Sequence, residues 1–190
     1  NVDDYYSEGA LTNVLEIINN NGAPDFIVGN CNVFDNKQKL IYINKPLKVT
    51  PWHLLAGAYL PVNPSAYFYK KNIHDKVGMY NENNHYNMDI EFLIQASLVT
   101  QINYFDKDWG NFRLLPDTKT GNDIGNGILE VRKKKLFLKY IKKVPFNVKL
   151  MVALTNYSFR AKKLFYKMTK FMVLPFDIVY WKIDKLIKHR

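Results

Sequence analysis

Two carboxylate pairs are the residues of this chain best suited to chemistry. Asp3 and Asp4 stand together in Asn1-Val2-Asp3-Asp4. Adjacent carboxylates at the end of a strand, ahead of a helix, can hold a hard divalent cation and, through it, a diphosphate. Mg²⁺ and Mn²⁺ take oxygen ligands and often share them with substrate phosphates. Asp89 and Glu91 follow the polar run NENNHYNM and open the apolar stretch DIEFLIQASLV. Burial raises the pKa of a carboxylate in the first turn of a helix, while the helix N-terminus favours its charged form; a general base needs such tuning. Each pair also has a plainer reading, which the residues alone leave open. Asp3 and Asp4 would complement a helix dipole, and Asp89 would cap a helix.

Other chemistries find little support. His53, His74, His85 and His189 show no zinc-ligand spacing, and there is no P-loop, GxGxxG or GxSxG elbow. His85 lies close to Asp89 in sequence and could line the same site or sit in a solvated loop. The single cysteine, Cys31, rules out an internal disulfide; it reads as a small buried hydrophobe in a reducing compartment.

Elements must bring these residues together. Residues 8–20 have Leu11, Val14, Leu15 and Ile18 at helical spacing, with Ser7 as a cap. Asp25–Phe34 reads as a strand, with Gly29 at a bulge or close approach, and Leu40–Ile43 as its short partner. Pro51 opens a short helix. Ser65–Tyr69 reads as a strand and Asn72–Val77 as a helix stopped by Gly78. Asp89–Val99 is apolar nearly all round, as a buried helix is. Ile102–Phe105 and Asn111–Leu115 read as two short strands, and Pro116–Gly127 as a polar loop. The pattern is α/β with a mixed sheet.

Charge divides the chain more sharply than hydropathy does. The 190 residues carry +10 overall, with 47% hydrophobic and 15% aromatic residues, which excludes wholesale disorder. Val131–Arg190 holds 17 Lys and Arg against Asp177 and Asp184, hence +15; Asn1–Glu130 holds 10 against 15 acids, hence −5. No apolar run reaches the length of a spanning helix. The expected organisation is a body over 1–127 and a basic helical tail over 128–190, cut by Pro145 and Pro175. On a wheel, Tyr157, Ala161, Leu164, Phe165, Met168 and Met172 share one face, beside Arg160, Lys163, Lys167 and Lys170. Such a tail suits an anionic lipid surface, or else packs its apolar face onto the body. No DNA- or RNA-binding motif accompanies it, so nucleic acid is not an expected partner.

Five segments occur in series: NVDDYYSEGAL, DFIVGNCNVFD, AYFYKKNIHDKVGMYNE, MDIEFLIQA and FRLLPDTKT. Their order and spacing resemble the family 2 glycosyltransferases of the GT-A fold, bacterial inverting enzymes that build surface polysaccharides. The resemblance covers about residues 1–125. It implies an incomplete GT-A, Rossmann-like domain followed by basic amphipathic helices. The family's first strands would precede Asn1, about 80–100 residues judged from the usual size of such a domain, so the chain is expected to be the C-terminal portion of a longer enzyme.

The same resemblance implies roles. Asp3 and Asp4 match a DxD-type motif that would bind Mn²⁺ or Mg²⁺ and the diphosphate of a UDP- or GDP-sugar. Asp89 would be the general base that deprotonates a glycan or lipid-linked acceptor. Arg113 and Lys119 would face the donor phosphates, and Glu82, His85 and Glu91 are acceptor-side candidates. The chain departs from the pattern at Pro64-Ser65, Met88 and Leu115. The implied location is cytoplasmic, peripheral on the cytoplasmic face of the plasma membrane. A rival from another class is a non-catalytic membrane- or polyanion-binding remnant whose basic tail is the working part.

Overall fold

A computed structural model describes residues 4–84, 86–115 and 126–161. Its centre is β2 (Phe26–Phe34), whose FIVGNCNVF is buried along most of its length. Continuous burial follows from having neighbours on both edges and layers on both faces. β5 (Ile102–Arg113) runs parallel to β2 on one side. On the other, β4 (Tyr67–Tyr69) pairs antiparallel with the first half of β2 and β3 (Leu40–Asn44) with the second. The short β1 (Tyr5–Tyr6) pairs antiparallel with β5, giving a mixed five-stranded sheet in the order β1-β5-β2-β3, with β4 also on β2. The architecture is α/β with an open sheet, compatible with a Rossmann-like fold. β3 is an edge strand with its Leu40–Ile43 side chains exposed.

Each face of the sheet has its own core. On one face α1 (Ala10–Asn20) lays Ala10, Val14 and Ile17 against Ile27 and Trp109. The larger core lies on the other face. There Phe26 and Val28 meet Phe92, Leu93, Ile94 and Ala96 of α4 (Met88–Val99), with Leu54 and Leu55 of α2 (Pro51–Leu55) and Ile73 of α3 (Ile73–Val77). α4 buries residues all round, as its composition required. Thr50 caps α2 by accepting from the His53 amide, and Gly78, at φ 83°, ends α3.

The tail does not begin as an appendage. Leu136 and Tyr140 of α5 (Ile128–Ile141) are buried in the larger core, and so are Val144 and Val152 beyond it. The 127/128 division therefore runs through one packed core. Residues 146–161 are also helical. The helices expected after residue 161, with most of the expected basic face, lie outside the described residues. No described helix is long and apolar enough to cross a membrane.

Three local expectations are corrected. Leu11 and Leu15 are exposed, because α1 turns its Ala10-Val14-Ile17 stripe to the sheet, where the small Ala10 admits the Trp109 ring. Ser7 does not cap α1. Its hydroxyl accepts from Asn111 Nδ2 at 3.1 Å, and the helix starts from Gly9 in the left-handed region, at φ 70°. The two expected strands at 102–105 and 111–115 are one strand, β5, whose polar Asp106-Lys107-Asp108 bulges without breaking it. Buried Asn30 donates to Asp106 Oδ1 and Asp108 Oδ1 at 2.8 and 2.9 Å, and Lys45 pairs with Asp106 at 2.8 Å. The same bulge explains Gly29: a Cβ there would come within 2.6 Å of the Trp109 ring and 2.7 Å of the Lys107 carbonyl.

Candidate functional site

Asp89 enters the first turn of α4 because Asn87 leaves helical geometry, at φ −136°, with its side chain making no cap. The Ile90 amide donates to Asp89 Oδ1 at 2.8 Å, which fixes the carboxylate. Burial pushes its pKa up; the local amides and Lys133 of α5 pull it down without cancelling that rise. Such a carboxylate is a better proton acceptor than a solvated one.

Its surroundings are aromatic and polar. Tyr67 is buried, and its hydroxyl makes no hydrogen bond of ordinary length. Burial drives the acidity of that hydroxyl far down, and Tyr80, Asp89 and Tyr69 act on it in the same direction. The Tyr69 hydroxyl is 3.2 Å from both the Tyr80 hydroxyl and His74 Nε2, and His74 Nδ1 is 3.0 Å from the Gly78 carbonyl oxygen. The helix-stopping turn at Gly78 thus anchors the wall of rings beside Asp89. Tyr67, Tyr80 and Lys133 were not singled out in the sequence: the tyrosines look like strand and loop aromatics, and Lys133 like one of three consecutive tail lysines.

Asp4 directly precedes β1, and the turn into α1 follows that strand. Asp4 is close enough to Cys31 to raise the pKa of its thiol. Burial is the larger cause, Ser65 opposes it by hydrogen bonding, and the thiol is pushed up to about 12. Cys31 is thus a protonated, buried side chain and no nucleophile. Gly110 lets this corner close, since a Cβ there would collide with Ser65 Oγ and lie 2.9 Å from the Ala66 nitrogen. Arg113, at the end of β5, holds its guanidinium 5.9 Å from the centre of the Tyr5 ring. The β1–β5 register brings Arg113 to the same end of the sheet as Asp4.

The other candidates divide. Glu82 is exposed in the turn before α4. Glu91, expected on the acceptor side, is instead 2% exposed and fully engaged in holding the fold. Its Oε1 accepts from Lys139 Nζ at 2.7 Å and the Tyr140 hydroxyl at 2.8 Å. Its Oε2 accepts from Asn84 and Asn81 at 2.7 and 3.1 Å. Burial alone would raise its pKa, but these four hydrogen bonds outweigh burial and hold it at about 2. Asp3, His85 and Lys119 lie outside the described residues.

A hard cation fits the Asp4 corner only as a shared ligand. Among the described residues no three His, Cys, Asp or Glu side chains converge as a metal cage. Mg²⁺ and Mn²⁺ sites that use substrate phosphates need only one or two carboxylates from the protein, and Asp4 provides one beside the uncharged Ser65. The chain matched no family model and no curated protein.

Proposed function

We propose that the chain carries the diphosphate side and the acceptor side of an inverting family 2 glycosyltransferase of GT-A type. It moves a sugar from a UDP- or GDP-sugar to a glycan or lipid-linked acceptor in surface polysaccharide synthesis. One observation carries this reading: Asp89 opens the buried helix α4 with its carboxylate held by the Ile90 amide at 2.8 Å and its pKa raised by burial, while Asp4 stands ahead of β1 near Cys31. A single displacement needs that division, with one carboxylate at the leaving diphosphate and another at the attacking hydroxyl.

Asp4, with Asp3, would hold Mn²⁺ or Mg²⁺, which would supply positive charge at the departing diphosphate. Arg113 adds a fixed cation at the same end of the sheet. Asp89 takes the proton of the acceptor hydroxyl as its oxygen bonds to the anomeric carbon. The bond from that carbon to the phosphate oxygen breaks, and the nucleoside diphosphate leaves with the electron pair. The Ile90 amide orients the base, and burial keeps it partly dry. No covalent sugar–enzyme intermediate is needed, so the anomeric centre inverts.

Calorimetry of UDP and GDP with and without Mn²⁺ tests the diphosphate side. Metal-dependent binding of one nucleotide, lost in Asp4→Asn and retained in Asp89→Asn, is the expected result. Binding that ignores Mn²⁺, or survives Asp4→Asn unchanged, would remove Asp4 from the donor site.

A further inference from the structure

Helix 146–161 has two apolar faces. Val148, Val152 and Thr155 turn into the larger core or lie buried beside it. Phe146, Leu150, Leu154 and Tyr157, at i, i+4, i+8 and i+11, form a second stripe on the opposite side. Among the described residues nothing covers the ends of that stripe: Phe146 is 78% exposed and Tyr157 72% exposed. A helix buried on one face gains nothing from a second apolar face unless something covers it.

The charge around the stripe identifies the cover. Residues 131–161 contain nine Lys and Arg and no Asp or Glu. Lys149 and Arg160 flank the stripe, Lys142 and Lys143 sit at the turn before it, and Lys134 and Lys135 are exposed on α5 next to it in the chain. A second copy of the chain would bring the same positive field against itself. Residues 162–190 carry eight further Lys and Arg against two Asp, so folding them over the stripe meets the same repulsion. A nucleic acid would satisfy the lysines and leave Phe146, Leu150 and Leu154 in water. An anionic bilayer surface answers both features, taking leucine and phenylalanine below the headgroups while lysines meet lipid phosphates and carboxylates.

We infer that helix 146–161 and the turn before it form a membrane-docking surface for anionic lipid, with Phe146 and Leu150 inserted and Lys142, Lys143 and Lys149 at the headgroups. Because the larger core holds both this helix and α4, docking fixes the orientation of the Asp89 side of the molecule relative to the bilayer. The inference does not depend on the transferase reading, and vesicle binding is measured separately from nucleotide binding.

Sedimentation of the full chain with phosphatidylcholine vesicles, with and without phosphatidylserine, is the test. Binding should require phosphatidylserine and weaken with salt. Replacing Lys142, Lys143 and Lys149 by Gln should weaken it about a hundredfold, at about fivefold for each lysine. Phe146→Ser with Leu150→Ser should weaken it at least tenfold, by an approximate area argument, without lowering the melting temperature, since neither side chain is buried. Unchanged vesicle binding in the serine variant would overturn the inference. So would a lowered melting temperature, which would mean that residues 162–190 cover the stripe. A dimer in light scattering that the serine variant dissolves would overturn it in favour of a second copy.

Discussion

The first turn of α4 carries two carboxylates two residues apart, and the molecule treats them oppositely. Asp89 lies near Tyr67, and burial raises its pKa in spite of the local amides and Lys133. Glu91 faces α5 and the loop at 81–84, where four donors hold it at about 2 in spite of burial. Both are acids in the same turn near the same helix N-terminus, so neither propensity nor the helix dipole separates them. The partner set does. A desolvated carboxylate supplied with donors becomes structural, and one short of donors is left poised to take a proton. α5 reaches both acids, but it gives Glu91 two hydrogen bonds and acts on Asp89 only through the charge of Lys133.

The largest expected effect breaks the comparison from the Asp89 side. Asp89→Asn should lower sugar transfer about 10²–10⁴-fold, the usual contribution of a positioned general base. Metal-dependent nucleotide binding should persist, and the melting temperature should hold or rise, since the variant buries no charge. The sign follows from the raised pKa. Asp89 favours the folded state while protonated, and that contribution fades as pH rises from the unfolded value through the folded one. A transfer assay and a melt on the same preparation check both parts. A variant that loses nucleotide binding and stability together would make Asp89 structural, like its neighbour.

Glu91→Gln comes next, and it acts on stability. The amide must turn its nitrogen either toward Lys139 and Tyr140 or toward Asn81 and Asn84, so donors face donors in either rotamer. The expected loss is about 3 kcal/mol, typical of a broken buried charge network. Glu91 has its pKa depressed from 4.5 to about 2, so its contribution is complete above about pH 4.5 and disappears as pH falls toward 2. Wild-type stability should therefore fall across that window, and Glu91→Gln should flatten the fall. Denaturant melts between about pH 2 and 6 read this out directly. An unchanged acid limb would mean that Glu91 is not the group titrating there.

Some of this was legible in the sequence, for identifiable reasons. The central strand, its hairpin partner β3, the Pro51 helix and the Gly78 stop follow from local pattern and turn chemistry, and the structure has all four. An acid opening an apolar helix was also visible, and Asp89 holds that position. Glu91 was misread because its role lies in α5, 48 residues away, inside a lysine run that looks like a solvated tail. Lys139 and Tyr140 are one helix turn of that run, and only their packing on α4 distinguishes them from Lys134 and Lys135. β5 was split in two because Asp106-Lys107-Asp108 looks like a turn, whereas buried Asn30 gathers both acids across the bulge. These two misses, at Glu91 and at β5, concern polar residues with partners distant in sequence, which no local periodicity records.

The smallest expected effect sharpens the comparison. Tyr67 is a side-chain hydroxyl that interacts electrostatically with Asp89, yet that hydroxyl is buried without an ordinary hydrogen bond. If the hydroxyl does no more than sit there, Tyr67→Phe removes a buried polar atom at little loss of packing. The gain from relieving an unsatisfied group and the loss from a small void are then of similar size, so stability should change by less than about 1 kcal/mol. Asp89 would lose one polar neighbour and become more desolvated. Its pKa should rise further, and the acid limb of the pH–rate profile should shift to higher pH by less than about one unit. A stability loss near that of Glu91→Gln would show that Tyr67 donates to Asp89 in solution. The poised carboxylate would then hold a donor after all, and the contrast with Glu91 would be one of degree.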